Sequence, residues 1–308
     1  MYDINDFNRL MVCLDLSRMD EVLLKYASKI VNTFGIKTIY FVHITSSFKI
    51  PKAIQEQYRN IVAPIDEAIE KQISFSLEQF FTKPEGTEVK IKVADGKITD
   101  EIIKLSRNQV VDLLMVGRKE GFKGSGLNEK KLAKASPNSV ILVPEKPSFD
   151  IKNIVVSIDY SEHSRMAFEI GLGIQKVTGA KLLTSNVYTV PRGYHAQGKT
   201  YEEFAEIMLV NTKHECDTFF KKMHLEEADY EHIFSLDNNQ HPADKIYLTA
   251  KDNNADMIIL GSKGRSAAAA FLLGSVAEQL LIENADIPLL IIKRSNENLS
   301  FINTLLNI

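Results

Sequence analysis

The residues with the clearest capacity for chemistry form a glycine pattern in the last third of the chain. Gly261, Gly264 and Gly274 are spaced as G-x-x-G-x9-G-S, and the pattern ends on Ser275. Gly261 is expected to let the chain turn sharply off a strand, and Gly264 to let backbone N–H groups approach an anion. Gly274 and Ser275 are expected to open a helix, whose N-terminus favours phosphate. The pattern predicts a phosphate-binding loop.

Two familiar nucleotide motifs do not fit this spacing. The pattern is neither G-x-G-x-x-G nor the P-loop G-x-x-x-x-G-K-[ST], which argues against a dinucleotide dehydrogenase and a P-loop ATPase. The turn also admits a structural interpretation, because Ser275 and Glu278 match the capping box S-x-x-E. A cap and a phosphate use neighbouring donors of one turn, so both interpretations stay open at this point.

The elements that position this loop come from a duplicated unit. Asp15 in MVCLDLS aligns with Asp159 in VVSIDYS, and Gly117 in VDLLMVG aligns with Gly261 in ADMIILG; 159 − 15 and 261 − 117 are both 144. A constant offset indicates an internal repeat. The stretch EKPSFD, residues 145–150, is polar and contains proline, which is typical of a linker. We therefore predict two domains, residues 1–147 and 148–308.

Within each half, short β-branched runs alternate with helical periodicity. NIVVSID, KLLTSNVY, YEHIFSL, ADMIILG and DIPLLIIK are predicted strands of the second half, and Gly179 is a predicted helix stop. This alternation indicates an α/β fold in which each domain is doubly wound around a parallel sheet of about five strands. Ligands of such sheets bind beyond the carboxyl ends of the strands, where the strand order reverses. Asp159 is expected at that edge.

The first half departs from the glycine pattern. After Gly117 the next glycine comes one position late, at Gly121, and no G-x9-G-S follows. The first loop, from Gly117 to Ser139 (139 − 117 = 22), is also shorter than the second, from Gly261 to Pro288 (288 − 261 = 27). We predict a degenerate first domain that packs against its partner. The alternative is a small anion nest around residues 124–126.

Composition excludes several classes of protein. A formal charge of −3 gives no bulk electrostatic reason to expect nucleic acid or an anionic membrane as partner. The first residues do not resemble a signal peptide, and no apolar run approaches the roughly 20 residues of a membrane helix. Cys13 and Cys216 are far apart and in no metal or redox spacing. We therefore expect a cytoplasmic protein.

Several of these segments resemble one known family. ADMIILGSKGRS, LLGSVAEQLL and DIPLLIIK resemble the carboxyl-terminal signature of the universal stress proteins, and IVVSIDYSEHS resembles their opening strand and helix. The similarity covers nearly the whole chain, twice. It implies a tandem member with the adenine nucleotide alpha hydrolase-like fold. It also implies a homodimer, because the family often associates through its last strand, here PLLIIK.

The resemblance also implies a nucleotide site in the second domain. In nucleotide-binding members the glycine loop holds the ribose and phosphates, the aspartate meets the nucleoside, and the end of the second strand gives a backbone contact to adenine. Lys263 and Arg265 have a second interpretation as ordinary solvated loop charges. The implied binding residues are Asp159, Val187, Gly261, Ser262, Gly264, Arg265, Gly274, Ser275 and Val276.

The expected function is therefore that of a stress-response protein that binds ATP or AMP, with at most slow hydrolysis. If Mg²⁺ takes part, it arrives with the phosphates, because no carboxylate cage is visible in the sequence. One alternative is a scaffold or regulatory dimer in which the loop is only structural. Another is a nucleotide-dependent enzyme such as a nucleotidyl transferase, against which the lack of a convincing acid–base pair counts.

Overall fold

The structure is a computed structural model that describes residues 2–48, 64–119, 129–223, 230–238, 241–264, 273–284 and 286–294. Predicted site residue Arg265 and the predicted anion nest at residues 124–126 lie outside the described residues. The chain divides into two units, one running from Ile4 to Phe149 and one beginning at Asp150. Tyr2 belongs to the second unit, where its N–H donates to the Glu169 carboxylate at 2.7 Å.

The first unit is a parallel sheet with helices in the connections. Its strands are β1 (Arg9–Leu14), β2 (Thr38–Thr45), β3 (Glu88–Asp95), β4 (Leu113–Gly117) and β5 (Ser139–Val143). Their order is β3-β2-β1-β4-β5, and each of these pairs is parallel. The helices are α1 (Met19–Phe34), α2 (Ile65–Phe80), α3 (Ile98–Asn108) and α4 (Glu129–Ala135), preceded by a 3-10 turn at Ile4–Asp6.

The second unit repeats this plan. Its strands are β6 (Asn153–Ser157), β7 (Lys181–Tyr188), β8 (Glu231–Leu236), β9 (Met257–Gly261) and β10 (Leu289–Ile292), in the parallel order β10-β9-β6-β7-β8. The helices are α5 (Glu162–Thr178), α6 (Tyr201–Lys222), α7 (Pro242–Asp252) and α8 (Ser275–Glu283), with a 3-10 turn at Tyr194–Gln197. The predicted α/β architecture with parallel sheets is confirmed.

Burial on both faces explains why the apolar runs form central strands. Leu113 to Val116 of β4 and Met257 to Ile259 of β9 are fully buried. Burying one such side chain stabilises a fold by roughly 1.5–3 kcal/mol. The first helix of each unit ends at a glycine in the left-handed conformation, Gly35 with φ 63° and Gly179 with φ 72°. The predicted helix stop at Gly179 is therefore confirmed.

The carboxyl edge of each sheet carries the same unusual turn. β1 leads into Asp15 and Leu16, and β6 leads into Asp159 and Tyr160. The backbone φ angles of Leu16 and Tyr160 are 58° and 64°. Residues other than glycine seldom adopt this left-handed conformation. The turn follows β1 in the first unit and β6 in the second. The strand order reverses beside these strands, between β1 and β4 in the first unit and between β6 and β9 in the second. The two aspartates therefore lie at switch points, where such sheets bind ligands.

The strand register measures the difference between the two loops directly. Gly117 pairs with Val143, and Gly261 pairs with Ile292. The two separations along the chain are 143 − 117 = 26 and 292 − 261 = 31. Both loops therefore connect a strand to its immediate neighbour, and the first does so with the shorter chain that the sequence predicted. The predicted shortening of the first loop is confirmed.

Candidate functional site

Three neighbouring strands of the second unit bring the predicted residues to one edge. In the β6–β7 register Ser157 pairs with Ser185, which places Asp159 level with Val187. In the β6–β9 register Val156 pairs with Ile259, which places Gly261 level with the residue before Asp159. Asp159 and Val187 are both half-buried. The carboxylate, the end of β7 and the start of the glycine loop therefore lie at one edge of the sheet.

Gly264 lies directly against the aspartate. A β-carbon at Gly264 would be 2.7 Å from Oδ2 of Asp159. Oδ1 of the same carboxylate accepts the N–H of Ser161 at 3.1 Å. The backbone of the first part of the predicted loop therefore lies close against the carboxylate, and a larger residue at position 264 would displace the Asp159 side chain.

The second part of the loop returns to the same place. Gly274 donates its N–H to the carbonyl of Ser262 at 2.8 Å. A β-carbon at Gly274 would be 3.4 Å from the Gly264 nitrogen and 3.5 Å from Cα of Lys263. Gly264 and Gly274, ten positions apart in the chain, are thus packed together at the start of α8.

The start of α8 has no side-chain cap. Gly274 is the N-cap residue, and Ser275 is the exposed first residue of the helix. The predicted capping box of Ser275 and Glu278 is therefore wrong, because the Gly274–Ser262 hydrogen bond places a glycine at the capping position. The first N–H groups of a helix have no partner within it. The N–H groups of Ser275 and Val276 therefore lie at the positive end of this helix, where an anion is favoured.

Gly261 has a different role from the one expected. None of the loop glycines that the structure describes adopts a left-handed φ. A β-carbon at Gly261 would instead lie 2.6 Å from the backbone carbonyl of His163, in the first turn of α5. Gly261 is needed so that β9 can pass close to that helix, and not because the chain turns sharply there.

The backbone of Ser262 holds the loop to the sheet. Ser262 is buried, and its N–H donates to the carbonyl of Ile292 at 2.9 Å. Its carbonyl accepts the Gly274 N–H. Both backbone groups of Ser262 are therefore used within the fold, and its part in binding stays a prediction.

Lys293 is a site feature that the sequence reasoning missed. It follows β10 and is 9% exposed. Burial lowers the pKa of its ammonium to about 7, and the neighbouring charge of Lys263 contributes to the fall. A lysine directly after a wholly apolar strand was the available signal, since that position lies at the carboxyl edge of the sheet. Lys263 and Lys293 therefore place two amino groups beside the start of the loop.

At the corresponding edge of the first unit the aspartate forms an ion pair. Lys119, which is 144 positions before Lys263, forms a short ion pair with Oδ2 of Asp15, and both side chains are less than a fifth exposed. The Ser17 hydroxyl donates to Oδ1 at 2.6 Å. Burial raises the pKa of Asp15, but the hydrogen bonds from Lys119 and Ser17 outweigh it and hold the pKa below its usual value. Both oxygens of this carboxylate are engaged within the chain.

A second carboxylate supports that turn. Asp20, in the first turn of α1, accepts the N–H groups of Asp15 at 3.0 Å and Leu16 at 2.9 Å. Burial raises the pKa of Asp20 to about 6, and repulsion from Asp15 adds to the rise. The equivalent position of the second unit is Ser164, which bonds to Ser161 instead.

Two features that the described residues lack bear on the chemistry of the site. The described residues contain no group of three or more His, Cys, Asp or Glu side chains arranged to hold a metal ion. None of the helices that the structure describes combines the length and apolar character that crossing a bilayer requires.

Comparison with known proteins identifies the family. The model of the universal stress protein family matches residues 6–144 and again residues 150–293. The chain therefore belongs to the universal stress protein family, as a tandem member with two such domains.

Individual relatives agree with this assignment. A universal stress protein of Methanocaldococcus jannaschii is 32% identical over 145 residues, which cover 46% of this chain and 82% of that protein. A putative universal stress protein of Staphylococcus epidermidis is 28% identical over 134 residues, covering 42% of this chain and 77% of that protein.

Solved structures show the same fold over both domains. A putative universal stress protein from Pseudomonas aeruginosa is similar with a TM-score of 0.64 at 15% identity, covering 99% of both chains. A universal stress protein from Archaeoglobus fulgidus is similar with a TM-score of 0.61 at 18% identity, covering 94% of this chain and 99% of that chain. At these identities the likeness concerns the fold alone.

Proposed function

We propose that the second domain, residues 148–308, binds an adenine nucleotide, ATP or AMP. In this proposal the protein acts in stress response by binding and regulation, with at most slow ATP hydrolysis. One observation carries the proposal: the backbone at Gly264 lies against the Asp159 carboxylate at the switch point of the sheet. A carboxylate and a glycine-lined helix start at one edge of the sheet match a nucleoside joined to phosphate.

Each part of the nucleotide has a candidate partner. The Asp159 carboxylate would accept hydrogen bonds from the ribose hydroxyls. The backbone at Val187, level with Asp159, would contact adenine. The N–H groups of Ser275 and Val276, at the start of α8, would bind the phosphates, with the cradle formed by Gly264 and Gly274.

The proposal favours binding over catalysis. The carboxylate that the described residues place against the loop is that of Asp159, whereas acid–base chemistry requires a placed donor and acceptor. The described residues also contain no cluster suited to a metal ion. Any Mg²⁺ would therefore be held mainly by the phosphates.

We extend the proposal to two properties of the whole protein. Family resemblance supports a homodimer. A cytoplasmic location is supported by Cys13 and Cys216, which are both buried free thiols rather than a disulfide.

The test is a calorimetric titration of nucleotide-stripped protein with ATP and Mg²⁺, repeated with AMP. We expect saturation at about one nucleotide per chain. Asp159→Asn should weaken binding, whereas the matched variant Asp15→Asn should leave it unchanged. Two nucleotides per chain would contradict the degenerate first domain. No binding by the unaltered protein would favour the scaffold alternative.

A further inference from the structure

The first domain contains a cavity that the nucleotide proposal does not use. Its volume is about 570 Å³, within the range of small-molecule sites. It opens at the carboxyl edge of the first sheet, between the turn after β1, the start of α1, the end of β4 and the segment after β5. Ligands of parallel sheets bind at this edge.

The floor of the cavity is apolar. Met19 is buried and extends across the end of β4, where a β-carbon at Gly117 would lie 2.5 Å from its Cγ. Val22, one turn further along α1, lines the cavity beside it. In the second domain the residue equivalent to Met19 is His163, whose backbone covers Gly261. The apolar side chain at the Met19 position is therefore particular to the first domain.

The rim of the cavity is charged, with an excess of cations. Three cations, Arg18, Lys119 and Lys146, and two carboxylates, Asp15 and Glu145, line it. Lys119 and Asp15 neutralise each other in their ion pair. Arg18 and Lys146 are exposed, and no ion pair within the described part of the chain engages the Arg18 guanidinium.

A nucleotide does not suit this arrangement. Both oxygens of Asp15 are engaged, by Lys119 and by Ser17, so a ribose would have to break an ion pair between poorly exposed groups. The residue 144 positions before Gly264 is Glu120, so the first domain lacks a glycine at this point of the sequence.

We propose that this cavity binds a small organic anion whose apolar body rests on Met19 and Val22 and whose single carboxylate or phosphate group meets Arg18. The planar guanidinium offers two parallel donors, which match either head group. Lys146 adds a second positive charge at the mouth. The two domains would then bind chemically different ligands at equivalent edges of their sheets.

The experiment is isothermal titration of the full chain with octanoate and with octyl phosphate, which share one apolar body, with and without saturating ATP. We expect one of the two to bind at one molecule per chain. We also expect 1-octanol, which lacks the charge, and acetate, which lacks the apolar body, to bind at least about tenfold more weakly. The stronger of the two anions identifies the head group.

Two variants separate the cavity from general charge effects. Arg18→Gln should weaken binding of the preferred anion about tenfold or more, the value of a lost hydrogen bond to a charged group. Lys25→Gln removes one positive charge from the same helix outside the cavity and should leave binding unchanged. Binding of neither anion, equal binding by Arg18→Gln, or displacement of the anion by ATP would overturn the proposal. ATP binding is tested by its own titration. If the anion does not bind to the first domain, the nucleotide proposal for the second domain is therefore unaffected.

Discussion

The two domains place an aspartate at the same point of the same kind of sheet and surround it differently. Asp15 holds the Lys119 ammonium, whereas Asp159 faces the backbone of Gly264. The residue equivalent to Lys119 is also a lysine, Lys263, which lies 144 positions further along the chain. The identity of this residue therefore does not explain the difference. The loops differ in length, and the longer second loop brings the backbone of Gly264 against the Asp159 carboxylate.

The comparison teaches that equivalent strands can place the same carboxylate in different surroundings. In the first domain both oxygens of Asp15 accept hydrogen bonds, from Lys119 and Ser17, beside a cavity. In the second domain the Asp159 carboxylate lies against the backbone of Gly264. The strands, the left-handed turn and the switch point are common to both domains, so the difference lies in the loop that follows β4 or β9.

The largest expected effect concerns the glycine that distinguishes the second domain. Gly264→Val introduces a β-carbon 2.7 Å from Asp159 Oδ2, and we expect ATP affinity to fall by about a hundredfold or more. Gly274→Ala is the graded control. Its β-carbon would meet neighbours at 3.4–3.5 Å, so we expect a loss below about tenfold. Calorimetry measures affinity, and circular dichroism checks the fold. Unchanged affinity in the valine variant would disprove the loop assignment.

The next effect concerns the ion pair that distinguishes the first domain. Lys119→Met leaves the Asp15 carboxylate, which is 13% exposed, without its cation. We expect a loss of about 1–3 kcal/mol in the free energy of unfolding, because the group left behind is poorly solvated. Lys25→Met, which breaks the exposed pair with Glu21, should cost no more than about 0.5 kcal/mol. Urea unfolding followed by circular dichroism measures both, and similar losses would contradict a special role for Lys119.

The second domain should become more stable as the pH rises. Lys293 has a folded pKa of about 7, below that of a lysine in the unfolded chain. Between about pH 7 and 10 the unfolded state therefore binds more protons, and stability increases with pH. Lys293→Met should reduce this increase by about 1 kcal/mol or more. Urea unfolding at pH 7 and 9 compares the two proteins, and parallel pH profiles would show that Lys293 is not buried as described.

The first domain should show the opposite trend, with the smallest effect. The folded pKa of Asp20 is about 6, above the unfolded value, so the folded state holds the extra proton. Its contribution to stability is complete below about pH 4 and is lost as the pH rises through about 6. Asp20→Ser copies Ser164 of the second domain and should remove about 1 kcal/mol of the change between pH 5 and 7. An unaltered pH profile in this variant would refute the assignment.

Much of the fold was predictable from local sequence. The predicted strand KLLTSNVY became β7 with the same bounds. NIVVSID became β6 over Asn153–Ser157, because strands buried on both faces favour runs of β-branched apolar residues. The constant offset located both Asp15 and Asp159. Counting positions also predicted the shorter loop, since strand register depends on chain length between fixed ends.

The missed features depend on contacts that local patterns do not encode. Ser275 matched a capping box, yet the helix is capped at Gly274, because a hydrogen bond to Ser262 fixes where the turn closes. The Lys119–Asp15 ion pair joins residues 104 positions apart. Burial of Lys293 likewise follows from packing of the whole sheet edge, which a short local pattern cannot report.

The hydrogen bond from Tyr2 to Glu169 affects any attempt to study the halves separately. Glu169 is 4% exposed and receives this N–H from the start of the chain at 2.7 Å, together with a contact from Arg165 at 3.3 Å. A fragment cut at the linker would lack the Tyr2 donor, and its poorly solvated carboxylate would be left short of a partner. Dissection at the linker would therefore report a second half weaker than the one in the intact protein. Adding residues 1–3 to this fragment, by fusion or as a separate peptide, should restore its stability.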